Sequence, residues 1–199
     1  MIKSSSQKST QWRIPSEKWQ GNPRKQVAEL DLKARKVLRQ YDADKSGVLE
    51  RNEVEKLMMD MRGGKDVTED ELEYIMRVVK QGGGVQDATN GVGPDEMNIM
   101  LSTWEAYNES MAEIEPIMRK YDLNGNGRLE RNELRRMLLD LNDRLPVSDD
   151  EVDWVLSQAC LIRGDQIAKP EIKKAIALWY TRVKHGKREK QRSACCVVS

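Results

Sequence analysis

Apolar residues recur at helical spacing along most of the chain, in eight segments separated by polar or glycine-containing stretches. Helix-start signals support this pattern: Pro23 opens the first segment, and Thr68 with Glu71 has the spacing of a capping box before the third. The pattern predicts an all-α fold. The apolar faces of the eight predicted helices include Val27, Val54, Leu72, Met97, Met111, Leu134, Val152 and Ile172.

The chain also repeats itself with a period of 80 residues. Tyr41 corresponds to Tyr121, and the tetrapeptide Glu-Arg-Asn-Glu occurs at both 50–53 and 130–133. A unit of this length accommodates two helix-loop-helix segments, so two lobes of two segments each are predicted. The expected divisions are a flexible N-terminal tail at 1–22, a first lobe at 23–108, a second lobe at 109–183 and a flexible C-terminal tail at 184–199.

Two arrangements of the connection between the lobes fit the sequence. Residues 104–110 can continue one long helix or form a bend between two shorter ones. Pro116 falls inside the next apolar segment, and an interior proline removes one helical hydrogen bond and clashes with the preceding turn. A kink or a late helix start is therefore expected there.

The polar stretch from Asp122 to Glu133 has the spacing of an oxygen cage. Gly127 at its sixth place permits a sharp turn, and oxygen-bearing side chains precede and follow it. A hard cation such as Ca²⁺ takes about six to eight oxygen ligands, and a terminal glutamate can supply two of them. The predicted ligands are Asp122, Asn124, Asn126, the carbonyl of Arg128, Glu130 directly or through water, and Glu133.

The stretch at 42–53 repeats this spacing with more carboxylates, which predicts tighter calcium binding there. Its predicted ligands are Asp42, Asp44, Ser46, the carbonyl of Val48, Glu50 and Glu53. Both stretches resemble EF-hand loops. Over residues 24–181 the chain resembles the EF-hand superfamily in its four-hand, calmodulin-like or calcyphosine-like arrangement.

The second and fourth loops depart from the family pattern. The second, from Lys80 to Glu96, is 17 residues long instead of 12. The fourth, from Cys160 to Glu171, keeps only its last ligand. Two Ca²⁺ ions are therefore expected, one per lobe, and Mg²⁺ can occupy either site with more retained water. Short strand pairs are still expected between neighbouring loops, Leu49 with Val92 and Leu129 with Ile167.

The resemblance implies calcium-dependent binding of a target protein or peptide in hydrophobic grooves, without catalysis. The ten methionines suit a calcium sensor with adaptable grooves, although many of them are expected simply to fill the cores. A calcium buffer and a structural subunit of a ciliary or cytoskeletal assembly are the alternatives. An enzyme is not expected, because no nucleophile–base pair or cofactor motif is evident and the single His185 lies in a charged tail.

The two tails carry further candidate contacts. Five basic residues lie between Lys184 and Arg192, and the last four residues, Cys-Val-Val-Ser, resemble a CaaX prenylation box. Farnesylation of Cys196 and palmitoylation of Cys195 would place the protein on the cytosolic face of a membrane. The basic run lacks interleaved aromatics, so nucleic acid is not an expected partner. In the N-terminal tail, Trp12 and Trp19 either pack locally or reach a groove or partner.

Overall fold

A computed structural model describes residues 23–82 and 91–195, with side-chain surroundings for 28–82 and 91–183. The described chain contains seven α-helices and one two-stranded sheet, which confirms the predicted all-α class. The elements are α1 (Pro23–Tyr41), α2 (Arg51–Met61), α3 (Glu69–Gly82), α4 (Pro94–Tyr121), β1 (Arg128–Leu129), α5 (Arg131–Leu141), α6 (Asp149–Ala159), β2 (Ile167–Ala168), a 3₁₀ turn (Lys169–Glu171) and α7 (Ile172–Cys195).

One helix, α4, replaces two of the eight predicted helices. It exits the second loop, crosses the predicted division at residue 108, and enters the third loop without interruption. Pro116 lies inside it, so a late helix start is wrong. Because proline has no N–H, the carbonyl of Ala112 lacks its helical hydrogen bond. Ala112 is exposed, so water can donate to this carbonyl instead.

Antiparallel contacts join the loops in pairs, as predicted. Leu129 pairs with Ile167 in the β1–β2 sheet. Leu49 and Val92 form an isolated bridge, with N–H···O distances of 2.9 and 2.8 Å. Gly91 permits this bridge, because a Cβ there would lie 2.8 Å from the carbonyl oxygen of Leu49. Each loop is thereby held beside its neighbour in the same lobe.

The buried apolar side chains form one contiguous cluster that extends through both lobes. Trp104 on α4 and Trp179 on α7 are among its largest fully buried members and occupy equivalent places in the two lobes. Many methionines are expected to fill the cores, and those at positions 58, 76, 97, 100, 118 and 137 are indeed buried. Met61 differs: it lies at the end of α2 and is 40% exposed.

The lobes also contact each other through polar groups. Arg128 donates hydrogen bonds from Nε and Nη2 to the carboxylate of Asp70 on α3, at 2.6 and 2.9 Å. Arg77, also on α3, donates to the carbonyl of Leu161. Because Arg128 belongs to the third loop, this bidentate ion pair fixes that loop against the first lobe.

The chain ends are arranged differently from the predicted division. Helix α7 continues through the whole basic segment as far as Cys195, while Cys196 and the N-terminal Trp12 and Trp19 lie outside the described residues. Within the described part of the chain, every helix is too short or too polar to cross a bilayer.

Candidate calcium-binding loops

The first loop is folded around the carboxylate of Asp42. Its Oδ1 accepts the N–H of Ser46 at 3.0 Å and its Oδ2 accepts the N–H of Gly47 at 3.0 Å, while Asp44 Oδ1 accepts from Ser46 at 2.9 Å. Lys45 and Gly47 have φ values of 61° and 85°, in the left-handed region. These turns wrap the backbone around the carboxylates. Hydrogen bonds from Ser46 also lower the pKa of Asp44.

The last residue of this loop, Glu53, is buried in the first turn of α2. Its Oε1 accepts the N–H of Ala43 at 2.8 Å, and its Oε2 accepts the N–H of Glu50 at 3.0 Å. The glutamate therefore connects the two ends of the loop. As a result, carboxylate oxygens of Asp42, Asp44 and Glu53 all lie within 4.8 Å of one another.

This donor set fits a hard divalent cation. Three carboxylates within such a short distance repel one another, and a small double positive charge removes that repulsion. The hydroxyl of Ser46 donates to the carbonyl of Val48 at 2.9 Å, so two further predicted ligands are already adjacent. Glu50 is exposed beside them.

The third loop repeats this geometry. Asp122 Oδ1 accepts the N–H of Asn126 at 3.2 Å and Oδ2 accepts the N–H of Gly127 at 2.9 Å, as Asp42 accepts those of Ser46 and Gly47 in the first loop. Glu133 Oε1 accepts from Leu123 at 2.8 Å and Oε2 from Glu130 at 3.0 Å. The two loops thus share one backbone path, set by the same residue types at the same places.

The remaining oxygens of the third loop converge on one side. Asn124 accepts the N–H of Asn126 at 3.0 Å, and Asn126 accepts the N–H of Arg128 at 2.8 Å. The side chain of Glu130 faces both amides, with its Oε1 at 2.9 Å from Asn124 Nδ2. Glu130, the predicted ligand at the ninth residue of the loop, therefore lies beside Asn124 and Asn126, the predicted ligands at its third and fifth residues.

Comparison with known families agrees with this geometry. The EF-hand family model matches residues 34–59 and 114–139, which contain the first and third loops with their flanking helices. Both segments are EF hands. EF hands that keep their oxygen ligands bind calcium, so the match indicates a calcium-binding protein, and the helices with their paired loops form a paired EF-hand fold. A search of curated proteins gave no match.

The fourth hand is held together by groups that differ from those of the first and third hands. Cys160 replaces the first-place aspartate, and its Sγ accepts the N–H of Gly164 at 2.8 Å and donates to the carbonyl of Gln166 at 3.0 Å. Glu171 is fully buried and accepts N–H groups of Leu161, Ile162 and Ala168. Burial raises the pKa of Glu171, and these hydrogen bonds offset only part of the rise. Glu171 accepts one more backbone N–H, that of Ile162, than Glu53 and Glu133 do, and Ile162 and Gly164 provide no side-chain oxygen at the third and fifth places of this loop.

The second hand is only partly described. The spacing predicts Lys80 as the first residue of the second loop. This prediction is wrong, because helix α3 continues to Gly82 and includes Lys80. Residues 83–90 lie outside the described part of the chain. On its far side, Glu96 caps α4 by accepting the N–H of Gly93 at 3.0 Å.

Two side chains of these loops have roles that the ligand spacing does not predict. The spacing predicts only a carbonyl ligand at Arg128, whereas its guanidinium also forms the ion pair with Asp70 of the first lobe. The spacing marks Cys160 only as a missing ligand, whereas its thiol organises the fourth loop as an aspartate would. No local pattern marks either role, because each partner is set by folding rather than by spacing along the chain.

Proposed function

We propose that this protein is a two-site calcium sensor tethered to the cytosolic face of a membrane. The observation that supports the proposal is one oxygen-lined EF-hand loop in each lobe, joined by a short strand contact to a neighbouring hand whose sequence departs from the ligand pattern. Paired hands transmit a change in one loop to the other through the short strand contact between them. In sensors this change widens the angle between helices and exposes a methionine-containing groove.

The residues that would hold the ions are those at the converging places of the first and third loops. When bound, Ca²⁺ supplies a double positive charge that the clustered carboxylates neutralise. The chain's own contribution is the rearrangement of Glu53 and Glu133. Each glutamate accepts two backbone N–H groups across its loop, so turning it toward the loop centre pulls on the first turn of α2 or α5.

The buried methionines are the candidates for the proposed target surface in whichever lobe opens. Met58, Met97 and Met100 in the first lobe and Met118 and Met137 in the second are fully or nearly fully buried in the closed arrangement. Flexible, polarizable methionine side chains can repack around different apolar partners. An apolar segment of a target protein is therefore the proposed ligand.

Calcium is expected to expose apolar surface on the full-length protein. Addition of Ca²⁺ should increase the fluorescence of a hydrophobic dye such as ANS, and removal of Ca²⁺ with a chelator should reverse the increase, because lobe opening uncovers core methionines. The same titration with Mg²⁺ is the control for simple charge neutralisation. Tight calcium binding without any dye response would instead indicate a buffer or a structural subunit.

The membrane part of the proposal rests on the C-terminal residues. The basic segment and the terminal Cys-Val-Val-Ser provide the two signals that stable anchoring needs, a lipid chain and an electrostatic attraction. Helix α7 extends to Cys195, so the proposed lipid would follow directly after a helical, basic segment.

Membrane binding should need both signals. Farnesylated protein is expected to co-sediment with vesicles containing phosphatidylserine and to be released by high salt, because the basic segment is attracted to anionic headgroups. The Cys196→Ser variant, carried through the same lipidation reaction, should remain in the supernatant. Equal sedimentation of both proteins, or unmodified Cys196 in protein isolated from its native cell, would contradict this part of the proposal.

A further inference from the structure

The C-terminal end of α2, the first turn of α3 and the middle of α4 meet at a buried polar cluster. Arg62, the C-cap of α2, donates Nη1 and Nη2 to the two carboxylate oxygens of Glu71 at 3.0 and 2.9 Å, and Nε to Asn108 at 2.9 Å. The Glu71 side chain is 2% exposed and that of Arg62 is 14% exposed. Arg62, Glu71, Trp104, Tyr107 and Asn108 are hereafter the Arg62 cluster.

Aromatic residues of α4 complete the cluster. The guanidinium carbon of Arg62 lies 4.2 Å from the ring centroid of Trp104 and 5.8 Å from that of Tyr107. Tyr107 donates its hydroxyl to Glu71 at 2.7 Å, and the indole N–H of Trp104 donates to the carbonyl of Met58 at 3.0 Å. Helix α4 is thus bonded to both α2 and α3.

The position of these bonds determines what they resist. Glu71 is in the first turn of α3 and Tyr107 is in the middle of α4, so both lie at the end of the second hand that is distant from its loop. With a rise of about 1.5 Å per residue, this end is roughly 15–20 Å from the loop. A wider angle between α3 and α4 separates the helices most at this end, so opening the first lobe must break the Arg62 cluster.

The second lobe has different residues at the equivalent places. Asn142 replaces Arg62 and donates to the carbonyl of Leu145. Glu151 replaces Glu71 and is bonded to Ser148, its own helix cap. Trp179 replaces Trp104, and its buried indole N–H has no hydrogen-bond partner among the described residues. Across α6 and α7, Arg182 lies over the half-buried ring of Trp154 at 4.7 Å.

We infer that the Arg62 cluster keeps the first lobe closed when calcium binds, and that calcium-dependent opening belongs to the second lobe alone. This inference rests on the proposed sensor function and assigns that function to one lobe. The first EF hand then binds calcium without exposing its core. Target capture uses the apolar surface around Trp179 and Met137, where no buried ion pair opposes separation of the helices.

The inference is tested on the full chain by measuring calcium-dependent ANS fluorescence in site variants. Glu53→Gln weakens the first site and should leave the fluorescence increase unchanged, whereas Glu133→Gln should abolish it. The double variant Arg62→Met/Glu71→Gln removes the ion pair without leaving a buried charge alone. It should show an added increase, about twofold in total, that disappears with Glu53→Gln.

The chain supplies a matched control at the equivalent places of the second lobe. Asn142→Met/Glu151→Gln introduces the same two residues at places whose side chains, within the described residues, are bonded to Leu145 and Ser148 and not to α7, so the ANS increase should stay at its wild-type value. A second readout needs no variant: calcium should speed amide hydrogen exchange in α6 and α7 of the wild-type protein and leave exchange in α3 and the first half of α4 unchanged.

The outcomes separate the two proposals. An ANS increase that depends on Glu53 in the wild-type protein, or faster exchange in α3 with calcium, would overturn the assignment to the second lobe and keep the sensor. No calcium-dependent increase in the wild-type protein, nor in the double variant, would overturn the sensor itself. An unchanged response in a folded double variant would show that the Arg62 cluster is not what holds the first lobe closed.

Discussion

Glu133→Gln is expected to reduce the number of calcium ions bound from two to one, and Glu53→Gln is expected to do the same at the other site. Each glutamate is the residue that can supply two oxygens at once, and the amide supplies one oxygen and no charge. Each substitution should weaken its own site by roughly tenfold or more, about 1.4 kcal/mol. Isothermal titration calorimetry of the single and double variants measures both the stoichiometry and the affinity.

Glu171→Gln is the matched control for this titration. It makes the same replacement at the same place of the fourth hand, where the carboxylate already accepts three backbone N–H groups. The stoichiometry should stay at two, with a loss of stability because the amide accepts at one oxygen only. A loss of one ion in this variant would show that the fourth hand binds calcium and would contradict the two-site count.

Arg62→Met is expected to lower the free energy of unfolding by about 3 kcal/mol at neutral pH. It removes the cation that pairs with Glu71, and breaking one side of a buried ion pair leaves an uncompensated charge. Urea unfolding followed by tryptophan fluorescence and by circular dichroism measures the difference. Asn142→Met, the equivalent change in the second lobe, should lower the free energy of unfolding by less than about 1 kcal/mol, because it leaves no buried charge without a partner.

The loss should depend on pH in a defined direction. Burial would raise the pKa of Glu71, but hydrogen bonds from Arg62, Thr68 and Tyr107 more than offset it, so the pKa in the folded protein is lowered. A lowered pKa contributes stability above the ordinary value for glutamate, and this contribution is lost as pH falls through the folded value. Without Arg62, two of the interactions that lower this pKa are lost, so the pKa of Glu71 should be higher in the variant than in the wild-type protein.

The difference in the free energy of unfolding between the wild-type protein and Arg62→Met should therefore be largest near neutral pH. It should become smaller below about pH 4.5, the ordinary pKa of a glutamate side chain. Urea unfolding at a series of pH values tests this. A difference of the same size at every pH would mean that Arg62 stabilises the protein by packing on Trp104 rather than by pairing its charge with that of Glu71.

The sequence alone was sufficient for the parts of this protein that are local in the chain. Each EF-hand loop places its ligands within 12 consecutive residues, so side-chain type and spacing fix the backbone path around Asp42 and Asp122. The strand contacts of Leu49 with Val92 and of Leu129 with Ile167 followed from the same register, since hydrophobic eighth-place residues of paired loops lie opposite each other. The ligand roles of the other loop residues stay predictions.

Only the tertiary structure decided the features that join distant residues. The continuity of α4 past Pro116 depends on solvent at Ala112 and on packing along both lobes, which outweigh the cost of an interior proline. The pairs Arg62–Glu71 and Arg128–Asp70 come from charged residues that look like ordinary surface positions in the sequence. Charge carries no information about which partner it will meet, because Coulomb attraction acts through space and the fold brings the partners together.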